Sequence, residues 1–92
     1  MKNICIFIEH NNKVSLAQES LSSLDGFLDH MKERMKIFLP LNKNIFQRYK
    51  KVLFDIYEEI EKQFIAFKKK LTREQHFIVE NLLSKFVDII PE

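Results

Sequence analysis

Large apolar residues recur three or four positions apart through one long stretch, Lys43 to Leu71, which contains no Gly or Pro. They are Phe46, Tyr49, Leu53, Ile56, Ile60, Phe64, Phe67 and Leu71. At 3.6 residues per turn this spacing places them along one stripe of an α-helix. We predict this helix over about residues 44–70. It would span about 40 Å, so the other segments are expected to pack along it.

A second helical pattern precedes it, and we predict a helix over about residues 15–38. Its apolar positions also step by threes and fours: Val14, Ala17, Leu21, Leu24, Leu28, Met31, Met35 and Phe38. Ser15 and Gln18 have the spacing of a capping box, which would start the helix at Ser15. Pro40 ends the pattern, and Asn42 or Asn44 is expected to cap the long helix. Because the link is short, these two helices are predicted to be antiparallel neighbours.

A third helix is predicted over residues 73–90. Thr72 and Gln75 form another capping box at its start, and Pro91 stops it. Its apolar positions cover about half of its circumference: Ile78, Val79, Leu82, Leu83, Phe86, Val87, Ile89 and Ile90. A face this broad exceeds what one neighbouring helix covers, so the helix is expected either to wedge between the other two or to face a second subunit.

The first 12 residues are predicted to form a short apolar arm. Residues 3–8 are rich in β-branched and aromatic types, and Asn11-Asn12 follows as a turn signal. Nothing else in the chain suggests a strand, so a strand here would have to pair with a second copy or another protein. A helical or irregular arm is the alternative, and we favour an arm that covers the core.

These elements predict an all-α fold, an antiparallel three-helix bundle formed by residues 1–92 as one domain. The chain is 92 residues long and 46% hydrophobic, near the lower end of what forms a self-sufficient core. With one Gly and two Pro it has little material for tight turns, which favours helices joined by short links.

The composition also predicts a cytoplasmic protein. No apolar run approaches the ~18 residues of a membrane span, and residues 1–12 lack the cleavage site of a signal peptide, so we expect no membrane association. Cys5 is the only cysteine, which rules out an internal disulfide and suits a reducing compartment.

The sequence offers no pattern for catalysis or for a bound metal or cofactor. His10, His30 and His76 are far apart, whereas a zinc site needs three or four clustered ligands. Ile4 and Ile6 flank Cys5, and an apolar setting makes a thiol unreactive. We therefore predict a protein that is not an enzyme and has no catalytic, cofactor-binding or metal-binding residues.

Apolar side chains outside the main stripes predict a surface that binds a protein partner, a second copy, or both. Phe54 and Ile65 lie about a third of a turn from the stripe of the long helix, on one common side. The predicted partner-binding residues are Phe54, Ile65, Leu83, Val87 and Ile90. The predicted function is a small helical interaction module that regulates, inhibits or chaperones a partner protein.

Charge is distributed unevenly along the chain. Residues 32–51 contain seven Lys or Arg and one Glu, hence a charge of +6, and the other residues carry −4 because the total is +2. The predicted basic patch comprises Lys32, Arg34, Lys36, Lys43, Arg48, Lys50 and Lys51. It is either a solvated tip, a site for an acidic protein, or the site of the alternative function, a nucleic-acid-binding regulator. Acidic residues of the first helix, Glu19, Asp25 and Asp29, are expected to face Lys62 and Lys68–Lys70.

Overall fold

In the part of the chain that the structure describes, two short strands precede three helices. The computed structural model describes residues 4–38 and 42–90. In chain order the elements are β1 (Phe7–His10), β2 (Lys13–Leu16), α1 (Gln18–Phe38), α2 (Lys43–Phe67) and α3 (Arg73–Ile89), with a short 3-10 helix (Lys68–Lys70) between α2 and α3. The chain is mostly helical, as predicted, and it carries a β-hairpin that was not.

The hairpin corrects the prediction for the N-terminal arm. β1 pairs antiparallel with β2, from Phe7 opposite Leu16 to His10 opposite Lys13. The two linking residues, Asn11 (φ 52°) and Asn12 (φ 65°), both have positive φ, as a two-residue type I′ turn requires. Asn tolerates this conformation better than most residues. The expectation that a strand here would find no partner within the chain was therefore wrong.

The start of the first helix also differs from the prediction. Lys13–Leu16 alternates exposed and buried residues, as a half-buried strand does, and α1 begins only at Gln18. The backbone N–H of Ala17 donates to the carbonyl of Ile6 at 2.9 Å, which extends the hairpin up to the helix. Ser15 and Gln18 therefore do not form a capping box, although their spacing imitates one.

The predicted caps of the other two helices are confirmed. Asn42 caps α2, and its side chain accepts a hydrogen bond from the N–H of Ile45 at 3.1 Å. Asn44, the other candidate, lies inside the helix. Thr72 and Gln75 form both halves of the capping box of α3. The break at Pro40 and the stop at Pro91 lie outside the described residues.

All the described elements except the 3-10 helix contribute to one hydrophobic core. Its buried members are Ile6, Phe7, Val14, Leu16, Leu24, Leu28, Met31, Met35, Phe46, Leu53, Ile56, Ile60, Phe64, Val79, Leu82 and Phe86. Each of the three helices packs against the other two. Ile6 and Phe7 are buried in this core, so the N-terminal segment covers it as the arm was expected to do.

The hairpin is attached to the helices by polar contacts as well as by burial. Gln63 on α2 accepts from the N–H of Ile6 at 3.3 Å and donates to the carbonyl of Ile4. The rings of Phe7 and Phe67 lie 5.3 Å apart. These contacts fix the hairpin across the C-terminal part of α2.

Candidate docking groove

An open apolar groove lies between α2 and α3. Its cavity of about 370 Å³ is lined by Phe54 and Tyr57 from α2 and by Val87 and Ile90 from α3 and its end. Phe54 is 48% exposed and Val87 60%. Large apolar side chains that converge on an open surface usually mark a binding site.

The helical pattern explains why these side chains surround a groove rather than enter the core. Leu53 and Ile56 belong to the buried stripe of α2, and Phe54 lies about 100° around the helix from Leu53. Phe86 is likewise buried, and Val87 is the next residue along α3. The rings of Tyr57 and Phe86 pack edge-on with their centroids 5.9 Å apart, which joins the two helices beside the groove.

Three of the five predicted partner-binding residues meet in this groove, namely Phe54, Val87 and Ile90. Leu83 is half-buried and packs against the core. Ile65 is 68% exposed and lies on α2 outside the groove. Whether any of the five binds a partner stays a prediction.

Sequence reasoning missed one residue of the groove and one exposed apolar residue outside it. Tyr57 lines the groove, and its position one turn from Phe54 could have indicated this. Phe77, near the start of α3, is 63% exposed. It lies about 160° around the helix from the buried Val79, which places it on the outer face.

Two other cavities have polar and charged residues in their linings. One, of about 560 Å³, lies beside the N-terminal segment, and its lining includes Glu19, Ser20 and Ser23. Another, of about 370 Å³, lies between α1 and α3, and its lining includes Asp25 and Lys85. Of these three cavities, the groove at Phe54 has the lining that best suits an apolar protein surface.

Some side chains of the basic patch make contacts with other residues of the chain. Arg34 donates to His30 Nε2 at 2.7 Å and to the Tyr49 hydroxyl at 3.4 Å. Lys36 pairs with Glu33 and Lys51 pairs with Asp55, each at 3.6 Å. Within residues 4–38 and 42–90, the remaining members make no ion pair: Lys32, Lys43, Arg48 and Lys50.

The acidic residues of α1 pair with a different lysine from those expected. Lys85 on α3 contacts Asp25, and it lies 3.6 Å from Asp29. The hydrogen bond to Asp25 raises the pKa of Lys85 above its ordinary value. Lys70 instead pairs with Glu9 of the hairpin at 2.5 Å. The expected pairing of α1 with Lys62 and Lys68–Lys70 was therefore wrong, because α3 presents Lys85 to the acidic side of α1.

Reactive groups do not cluster in the described part of the chain. His, Cys, Asp and Glu residues form no group there that could hold a metal ion. The Cys5 thiol is exposed and donates to the carbonyl of Phe7 at 3.2 Å. Among these same residues, the helices are too short or too polar to cross a membrane.

Comparisons with known proteins add no assignment to this picture. No family model matches the chain, and no curated protein or solved structure matches it. The functional interpretation therefore rests on the groove and on the charges around it.

Proposed function

We propose that this protein is a small non-enzymatic interaction module of the cytoplasm that regulates, inhibits or chaperones a partner protein. The observation that supports this most directly is the groove at Phe54, where four large apolar residues line an open cavity. The protein binds its partner by burying the exposed parts of Phe54 and Val87 against an apolar surface of that partner. The lone Cys5 suits a reducing compartment.

The proposal includes an arrangement of the helices as an antiparallel three-helix bundle. Contacts between α2 and α3 support it, because Phe64 meets His76 and Tyr57 meets Phe86. The later residue of α2 thus contacts the earlier residue of α3, as expected for antiparallel helices. The contact of Arg34 with Tyr49 supports the same relationship between α1 and α2. A groove between two antiparallel helices is a suitable seat for a further helix.

Burial of the groove would supply a useful share of binding free energy. An apolar side chain contributes about 1.5–3 kcal/mol when it passes from full exposure to full burial. Phe54 and Val87 are each about half exposed and would gain roughly half of that. Aromatic anchors of this kind often dominate the energetics of an interface.

Replacing Phe54 by Asp tests the proposal. Phe54→Asp places a charge in the groove without touching the buried stripe of α2, so helix content by circular dichroism should persist. The tagged variant should lose the partner protein that the wild type retains from cell extract. Phe77→Asp is the matched control, since Phe77 is also exposed but lies outside the groove. Equal retention by Phe54→Asp and wild type would contradict the proposal.

The alternative function, nucleic-acid binding, is favoured by one observation only. Lys32, Lys43, Arg48 and Lys50 carry no ion pair within the described ranges and remain available to phosphates. Binding of this kind weakens steeply with salt, because counterions are released. Retention of DNA or RNA at low salt, lost on replacing Arg48 and Lys50 by Glu, would support it. If the purified protein carries no nucleic acid and shows no such retention, the nucleic-acid-binding function is contradicted.

A further inference from the structure

One face of α2 carries basic residues before Phe54 and acidic residues after it. Going outward from Phe54, positions on this face lie four, seven and eleven residues away in both directions. They are Lys43, Gln47 and Lys50 before Phe54, and Glu58, Glu61 and Ile65 after it. At 100° per residue all seven fall within about a quarter of the circumference, and they extend over about 33 Å.

This face is open to solvent. Lys50 is half-buried, and the other six residues are exposed. Phe54 and Ile65 are among the large apolar residues that the core leaves uncovered. Lys43, Lys50, Glu58 and Glu61 make no ion pair within the part of the chain that the structure describes.

The order of charges on this face is complementary to itself in one orientation. If a second α2 lies antiparallel across the first with both Phe54 residues at the centre, each position before Phe54 meets the equally distant position after it. Lys50 then meets Glu58 of the second copy, and Gln47 meets Glu61. Lys43 lies beside Glu61 and covers Ile65 with its aliphatic stem. A parallel pairing would instead place Lys50 against Lys50 and Glu58 against Glu58.

We propose that the groove at Phe54 is occupied by a second copy of this chain, in a symmetric dimer built on the Lys43–Ile65 face of α2. A two-fold axis at Phe54 makes the same patch serve both copies, as a closed dimer requires. Val87 and Ile90 flank Phe54 in the groove, so the second copy's Phe54 would fill the cavity of each subunit. The same contact therefore gives the unpaired charges partners of opposite sign and covers the exposed Ile65.

This inference rests on the proposed function, because it names the protein that occupies the groove. It is tested by reversing one charge on each side of the axis. Lys50→Glu alone brings two carboxylates together at each of the two symmetric pairs, and Glu58→Lys alone brings two ammonium groups together there. Each variant should raise the dimer dissociation constant about tenfold, since both pairs become repulsive. Mixing the two variants restores opposite charges at both pairs, so a mixed dimer should form.

Light scattering measures the molar mass of each sample at a concentration where the wild type is dimeric. A reductant is present so that Cys5 cannot link two copies. Arg48→Glu is the control, because it makes the same charge change on α2 about 160° away from Lys50. We expect a mean mass shifted toward that of the monomer for each single variant, and a mass near that of the wild type for the mixture and for the control.

Two results would overturn the inference. One is a wild type that stays monomeric up to high concentration, and the other is a dimer that both charge reversals leave intact. In either case a loss of another protein by Phe54→Asp would still support the groove as a docking site. The failure of the dimer is thus distinguishable from the failure of the proposed function.

Discussion

The side-chain amide of Gln75 donates a hydrogen bond to the backbone carbonyl of Val14 at 3.2 Å. The same side chain accepts a hydrogen bond from the N–H of Thr72 at 2.9 Å, as part of the capping box of α3. Gln75 therefore contributes both to the N-terminal cap of α3 and to the contact between the hairpin and that helix.

Gln75→Glu should separate these two roles. A carboxylate still accepts from the N–H of Thr72, but it cannot donate to the carbonyl of Val14. We expect faster amide hydrogen exchange in β1 and β2, with little change at the start of α3. Gln75→Ala removes both contacts and should lower the free energy of unfolding by about 1–2 kcal/mol. Similar exchange rates in Gln75→Glu and wild type would show that the contact with Val14 does not hold the hairpin.

The turn of the hairpin should respond to substitution according to backbone conformation. Asn12 has φ 65°, where Gly is free of the steric cost that other residues meet. Asn12→Gly should therefore raise the free energy of unfolding by about 0.5 kcal/mol, and Asn12→Val should lower it by about 1 kcal/mol. Urea denaturation measures both. The reverse order of the two variants would contradict the turn conformation.

Stability should depend on pH through Lys85. Its hydrogen bond to Asp25 raises the pKa of Lys85 above the ordinary value of 10.5. The ion pairs with Asp25 and Asp29 thus contribute fully below the unfolded pKa, and they are lost as pH rises through the folded pKa. Lys85→Met removes this contribution while keeping the length of the side chain.

The measurement compares the free energy of unfolding of wild type and Lys85→Met between neutral pH and about pH 12. The difference should stay constant up to about pH 10 and shrink above it. Lys62→Met is a suitable control, because Lys62 has no ion pair among the residues that the structure describes. A difference that is unchanged at high pH would show that Lys85 contributes by packing alone.

The helices were predictable because their signals are local and repeated. The capping residues Asn42 and Thr72 mark the starts of α2 and α3 in the sequence itself. The stripe from Phe46 to Phe64 repeats over many turns, so no single residue decides it. A long periodic pattern of this kind predicts a helix even where single positions depart from it.

The hairpin was not predicted because its second strand is short and ambiguous. Val14 and Leu16 alternate with polar residues over only four positions, and they also fit the spacing of the following helix. Ser15 and Gln18 imitated a capping box. The turn signal at Asn11-Asn12 was present, and extending the alternation beyond it would have indicated β2.

The groove was predictable only in part. Helical angles show that Phe54 lies off the buried stripe, but they do not show how far α3 reaches along α2. That distance depends on tertiary packing, which brings Val87 and Ile90 beside Phe54 and leaves Ile65 outside. The same packing turns Lys85 toward Asp25, a pairing that the sequence alone does not specify.

Both proposals require another protein molecule in the groove at Phe54. A photo-crosslinking amino acid at position 54, activated in the native cell, captures that molecule. We expect a crosslinked species from position 54, twice the mass of the chain if the occupant is a second copy. No such species should form from position 48, which lies about 120° further round α2. A folded protein that gives no crosslinked product from position 54, or equal yields from both positions, would contradict the claim.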